Sequence, residues 1–112
     1  MEIILERLDD VDPNRFVIET LEVAQTQPEF LIGRATDCEV RIASEFVSRH
    51  HCGLVVDEDE GAVRVRDLGS RNGTFVNDEV VQGDCDLKDG DKLIVGYIPF
   101  EIHINEQAGQ RS

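Results

Sequence analysis

Residues 67–77 read DLGSRNGTFVN, and how that stretch turns decides what the chain can be. Asn72-Gly73 is the strongest hairpin signal in the sequence, because both residues tolerate the positive φ that a type I′ turn requires. The spacing therefore predicts a hairpin at RNG between two strand-like runs. Outward from it, apolar residues recur every second position rather than every third or fourth. Val63 and Val65 alternate with Arg64 and Arg66, Phe100, Ile102 and Ile104 with Glu101 and His103, and Phe16, Ile18 and Thr20 with Val17 and Glu19. That period belongs to half-buried strands.

Turn chemistry at DDVDPN, QPE, DEDEG, RNG and KDGD punctuates these runs about every ten residues, the rhythm of a β-sandwich. Gly90 in DGD marks a tight return before KLIVG. No window of helical length carries a 3.6-residue apolar stripe. The expectation is an all-β sandwich of about 10–11 mostly antiparallel strands over residues 1–104, with 105–112 a flexible tail too polar to pack. At 112 residues the chain suits one domain, and with no Trp, one Tyr and five Phe its core must be mainly aliphatic.

The formal charge is −13 and the isoelectric point about 4.4, a balance that repels nucleic acid and anionic lipid. Against that field, six of the eleven cations (Arg34, Arg41, Arg49, Arg64, Arg66 and Arg71) fall between residues 34 and 71. Cys38, Cys52 and Cys85 are odd in number and widely spaced, which fits neither a disulfide framework nor a zinc knuckle. They read as reduced thiols of a cytoplasmic protein. The opening MEIILERL lacks the length and the basic leader of a signal peptide or membrane span.

Three segments carry the chemistry: FLIGRATDCEVRI, SEFVSRHHCGLVV and DLGSRNGTFVN. Their ordered pieces, Gly33-Arg34, Ser48 with His51, Asn72-Gly73-Thr74 and Val76-Asn77, resemble the forkhead-associated (FHA) domain, a phosphopeptide-binding β-sandwich. The resemblance covers nearly the whole chain and extends to LKDGDKLIVG. It implies a non-catalytic module that reads phosphothreonine in a partner protein, or in its own parent chain, through loops at one end. By that resemblance Arg34, Ser48 and Arg49 bind phosphate, and Asn72 and Arg71 meet the peptide. Gly33, His51, Gly73, Thr74 and Asn77 brace the loops. Arg71 stands where many relatives carry a small hydroxyl residue, and Asp78 replaces a common glycine.

The residue types suit that ligand on their own terms. A phosphorylated side chain brings about −1.5 to −2 charges and three strong acceptors, so it wants a fixed guanidinium and neutral donors. Taken singly, each group has a plainer reading: Arg34 as a surface charge, Ser48 as a turn former, RNG as a hairpin. Cys52, Leu54 and Val56 are expected to alternate inward, which sends His51 to the other side of that strand. His50 and His51, as strand neighbours, would point apart and could not share an ion. No metal, cofactor or catalytic residue is expected, and Ser48 with His51 lacks the elbow and third partner of a hydrolase. The DEDE run at 57–60 is read as a solvated loop that disfavours acidic flanks in a partner. The alternative function is a scaffold or oligomerisation domain of the same fold that binds without phosphate.

Overall fold

A computed structural model describes residues 2–8, 15–19, 29–57 and 60–105. They form eleven strands: β1 (Glu2–Arg7), β2 (Arg15–Glu19), β3 (Glu29–Gly33), β4 (Val40–Arg41), β5 (Cys52–Asp57), β6 (Ala62–Asp67), β7 (Thr74–Val76), β8 (Glu79–Val80), β9 (Asp84–Leu87), β10 (Lys92–Val95) and β11 (Ile98–Asn105). Among the described residues there is no helix, and hence none long and apolar enough to cross a membrane. The turn foreseen at DDVDPN, Gln27 and Pro28 of QPE, Thr20 and residues 106–112 lie outside the described residues, whereas Glu29 opens β3 and Asn105, expected in the tail, closes β11 opposite Glu2.

The strands make two sheets, β2-β1-β11-β10-β7-β8 and β4-β3-β5-β6-β9. Every pairing is antiparallel except β3 with β4, where Ile32 and Gly33 run parallel to Val40 and Arg41. Alternation supplies the core. Ile3, Leu5, Val76, Leu93, Val95, Phe100 and Ile102 come from one sheet, and Ile32, Val40, Cys52, Leu54, Val56, Val63, Val65 and Leu87 from the other. Each such side chain contributes roughly 1.5–3 kcal/mol by leaving water. The two-residue periods in β6 and β11 hold: Val63, Val65, Phe100 and Ile102 are buried. In β5, Cys52, Leu54 and Val56 all face the core.

The turn at RNG corrects the sequence reading. It is not a hairpin, because β6 belongs to the five-stranded sheet and β7 to the six-stranded one. Gly73 has φ +91°, but Asn72 is not in the left-handed region, so the turn is not type I′. The segment is a crossover between sheets, held from within rather than by strand pairing. The type I′ pattern occurs instead at Asn77-Asp78 (φ +50° and +72°), which joins β7 to β8, and at Gly96-Tyr97 (φ +50° and +74°), which joins β10 to β11.

Candidate functional site

Loops from both sheets meet at one end of the sandwich, where β3 ends, β5 begins and the β6–β7 crossover passes. Backbone hydrogen bonds zip the β3–β4 loop to the β4–β5 loop. Arg34 N donates to Ser48 O and Ala35 N to Arg49 O, both at 3.0 Å, and His51 N donates to Ile32 O at 2.9 Å. This approach requires Gly33, since a Cβ there would overlap the Arg49 carbonyl oxygen. Gly96 plays the same part on the other side, where a Cβ would overlap the Phe46 carbonyl oxygen.

His51 locks the assembly. It precedes β5 rather than lying within it, and it is fully buried rather than turned to the strand's outer side. Its Nδ1 accepts from the Ser48 amide at 3.0 Å, so the proton sits on Nε2, which donates to the Gly73 carbonyl at 2.8 Å. One imidazole thus ties the β4–β5 loop to the crossover. Burial holds its pKa below the ordinary value against the pull of the Gly73 carbonyl and the Asp67 charge. Both nitrogens are occupied, so neither is placed to take a proton from the Ser48 hydroxyl.

The crossover is organised by Asp67, which sequence reasoning missed. Its carboxylate accepts from the amides of Gly69 (3.0 Å) and Ser70 (3.1 Å), the Ser70 hydroxyl (2.6 Å) and the Thr74 hydroxyl (2.7 Å). The Ser70 oxygen in turn accepts from Gly73 N at 3.0 Å. Burial pushes the Asp67 pKa up, but the bonds from Ser70, Thr74 and the two amides outweigh it and leave it below 3.8. The signal was present in the sequence: Asp followed by Leu-Gly-Ser is a residue able to bond amides two and three positions on. Thr74 is fully buried beside Cys52, whose thiol burial pushes up to about 12. Cys38, Cys52 and Cys85 are all free.

Into this frame are set the residues singled out for ligand contact. Arg34, Ser48, Arg49, Arg71 and Asn72 line one pocket of about 260 Å³, together with Glu45, Phe46 and Val47. The Arg34 guanidinium is anchored through Nε, which donates to Val47 O at 3.1 Å, and the side chain stays exposed. Ser48 Oγ accepts from Arg71 N at 3.0 Å, which leaves its own proton free to donate outward. Asn72 Nδ2 donates to Phe46 O at 2.8 Å, leaving the amide oxygen and one N–H. Phe46, another residue the sequence did not flag, is exposed and meets Tyr97 edge-on with ring centroids 5.3 Å apart.

Of the six clustered arginines, Arg41 donates through Nε to the Arg34 carbonyl at 3.0 Å, and the other five divide into two groups. Arg64 and Arg66 lie on the outer face of β6, held by Glu60 and Asp86 and by Glu29 and Asp84. Among the described residues, Arg34, Arg49 and Arg71 have no carboxylate within ion-pair distance. In a chain of net charge −13, these three arginines outnumber the one carboxylate that lines the pocket, Glu45, and leave a local positive field open to an anion. Asn77 lies elsewhere: its amide bonds Asp91 and the Lys92 amide, each at 3.0 Å, at the far end of β7 from Thr74. Asp57 and Glu60 sit at the opposite end of the β5–β6 pair from Cys52 and Asp67, about 17 Å away at the usual strand rise. They cannot screen acidic flanks of a ligand at this pocket.

Comparison with known proteins agrees with this fold. A family model described as the FHA domain matches residues 30–96. An ABC transporter ATP-binding/permease protein of Mycobacterium tuberculosis is 43% identical over 67 residues, which cover 60% of this chain and 7% of the transporter. The matched segment spans 2% to 14% of such curated relatives. A structure solved in a study of phosphothreonine-dependent FHA domain interactions is 26% identical with a TM-score of 0.78, covering 94% of this chain and 98% of that one. The N-terminal FHA domain of Saccharomyces cerevisiae Rad53p, solved with a phosphothreonine peptide, has a TM-score of 0.78 at 20% identity over 96% of each chain, a likeness of fold.

Proposed function

The chain belongs to the FHA domain family, and from that premise we propose that its loop end binds a phosphothreonine-bearing segment of a partner protein or of its own parent chain. FHA domains are generally interaction modules rather than catalysts, and a 26% identical relative engages in phosphothreonine-dependent interactions. The observation that carries the reading is the pocket itself. Arg34, Ser48, Arg49, Arg71 and Asn72, drawn from three separate loops, are among the eight residues that line it, and its three arginines lack carboxylate partners among the described residues.

In this reading Arg34, anchored through Nε, presents its terminal nitrogens to two phosphate oxygens as a fork. The Ser48 hydroxyl donates to a third oxygen, and Arg49 adds charge beside it. Asn72 offers a carbonyl and an N–H to the peptide main chain, while Arg71 faces a flanking residue. Gly33, His51, Gly73 and Thr74 hold these groups in register, so little ordering remains to be done on binding. Asn77 fixes the β7–β8 hairpin and takes no part in the pocket.

The test is a fluorescence-anisotropy titration with a phosphothreonine peptide. A hydrogen bond to a charged group contributes roughly 1.5–3 kcal/mol, so Arg34→Ala should weaken binding about tenfold to 150-fold with the fold intact. Affinity unchanged by Arg34→Ala and by phosphatase treatment would instead favour a scaffold that binds without phosphate.

A further inference from the structure

The β3–β4 and β4–β5 segments bring together three donor atoms of three chemical kinds. The Asp37 carboxylate, the Cys38 thiol and the His50 imidazole each place one ligand atom within 4.8 Å of the other two. His50 Nε2 faces both Asp37 oxygens, at 2.9 and 3.0 Å. Cys38 is the buried member of the group, its Sγ donating to the Arg49 carbonyl at 3.3 Å. Asp37 and His50 are exposed, with side-chain accessibilities of 65% and 48%, so an ion reaches the group directly from solvent.

The main chain beneath these side chains is already fixed. Cys38 N donates to Ala35 O at 3.2 Å, and Ala35 N donates to Arg49 O at 3.0 Å. The three ligand atoms thus start within 4.8 Å of one another on a fixed main chain, and the Cys38 thiol exchanges its bond to the Arg49 carbonyl for the ion. The sequence reading expected no metal because His50 and His51 could not share an ion; the fold gives His50 a carboxylate from thirteen residues away, with a thiol beside it. The donor set also selects the ion. Calcium and magnesium take oxygen ligands, whereas a thiolate, an imidazole and a carboxylate together suit zinc.

We propose that Asp37, Cys38 and His50 form a three-ligand site for Zn²⁺, with solvent in the fourth tetrahedral position. The ion takes the place of the Asp37–His50 hydrogen bond and clips the β3–β4 turn to the chain just after Arg49. This proposal stands apart from the phosphopeptide reading, since none of the three ligands lines the pocket. A second group, Glu6, Glu101 and His103 on the six-stranded sheet, offers only oxygen and nitrogen and serves as an internal control.

The experiment is a titration of the purified, reduced chain with Co²⁺, followed by displacement with Zn²⁺. The site should give a sulfur-to-cobalt charge-transfer band and tetrahedral d–d bands that saturate at one equivalent and vanish on adding Zn²⁺. His50→Ala and Asp37→Ala change exposed residues and should each weaken Zn²⁺ binding at least about tenfold, since loss of even an outer-shell partner costs about 10–100-fold. Cys38→Ser should abolish the charge-transfer band, and His103→Ala should leave every signal as in the parent. No band in the parent, a His50→Ala or Asp37→Ala variant that binds Co²⁺ and Zn²⁺ as tightly as the parent, or bands lost in His103→Ala or Cys85→Ser would overturn the assignment.

Discussion

At the scale of single residues, the pocket depends on groups that do not line it. Asp67 is the clearest case, because four donors converge on its carboxylate and set the path from β6 to β7. Its folded pKa lies below 3.8, so the stability it contributes is full above that value and is lost as pH falls through the lower, folded one. Asp67→Asn should therefore be less stable than the parent at neutral pH, with the gap closing on acidification toward about pH 2. Urea midpoints measured across that range check this; a constant gap would mean that the ionised carboxylate is not what holds the crossover. Arg34, Ser48 and Asn72 were legible because their residue types and order match a known pattern. Asp67 was missed although the Leu-Gly-Ser that follows it signals its bonds to nearby amides, and Phe46 acts through a backbone carbonyl, which its residue type does not report.

At the scale of elements, local turn chemistry proved a poor guide to which strands pair. Asn72-Gly73 carries the best hairpin sequence in the chain, yet Gly73 uses its positive φ to cross between sheets. Two real type I′ connections hide at Asn77-Asp78 and Gly96-Tyr97, each placing a non-glycine residue at positive φ. Turn residues report the dihedral angles a position accepts, whereas sheet membership is decided by what the following strand buries. The alternation in β5, β6 and β11 was legible for the same reason: burial on one face writes itself into the sequence as a two-residue period. The short β4, β7 and β8, of two or three residues, are too brief to show one. Close approach between elements makes its own prediction at Gly33. Gly33→Ala forces the β4–β5 loop away from β3 and should cost about 1–3 kcal/mol in urea unfolding, the scale of overpacking. It should also weaken phosphopeptide binding, because Arg34 and Ser48 lose their register. A variant as stable and as tight as the parent would show that the two loops are not held together in this way.

For the whole molecule, the relevant quantity is a small positive region on a globule of charge −13. The outer arginines of β6 are neutralised by acidic neighbours, so the arginine cluster seen in the sequence is narrower in space than in the chain. Long-range repulsion and short-range attraction oppose one another, and screening over about 8 Å trims the first more than the second. Salt dependence of phosphopeptide binding should accordingly be mild. The pH dependence should be larger, because the phosphate's second pKa is about 6 and the singly charged ester is held less well. Affinity should fall between about pH 7.5 and 5.5, a window in which arginines keep their charge and carboxylates do not ordinarily titrate. An affinity that is flat across it would rule out a grip on the dianion.

The most direct measurement compares one threonine peptide with its phosphorylated twin against the parent chain and Arg34→Ala. The parent should bind the phosphorylated form alone, and the variant should bind it about tenfold to 150-fold more weakly with an unchanged unfolding midpoint. Equal binding of the two peptides, or a variant as tight as the parent, would contradict the claim that Arg34, Arg49 and Arg71, at this end of the sandwich, exist to hold a phosphate.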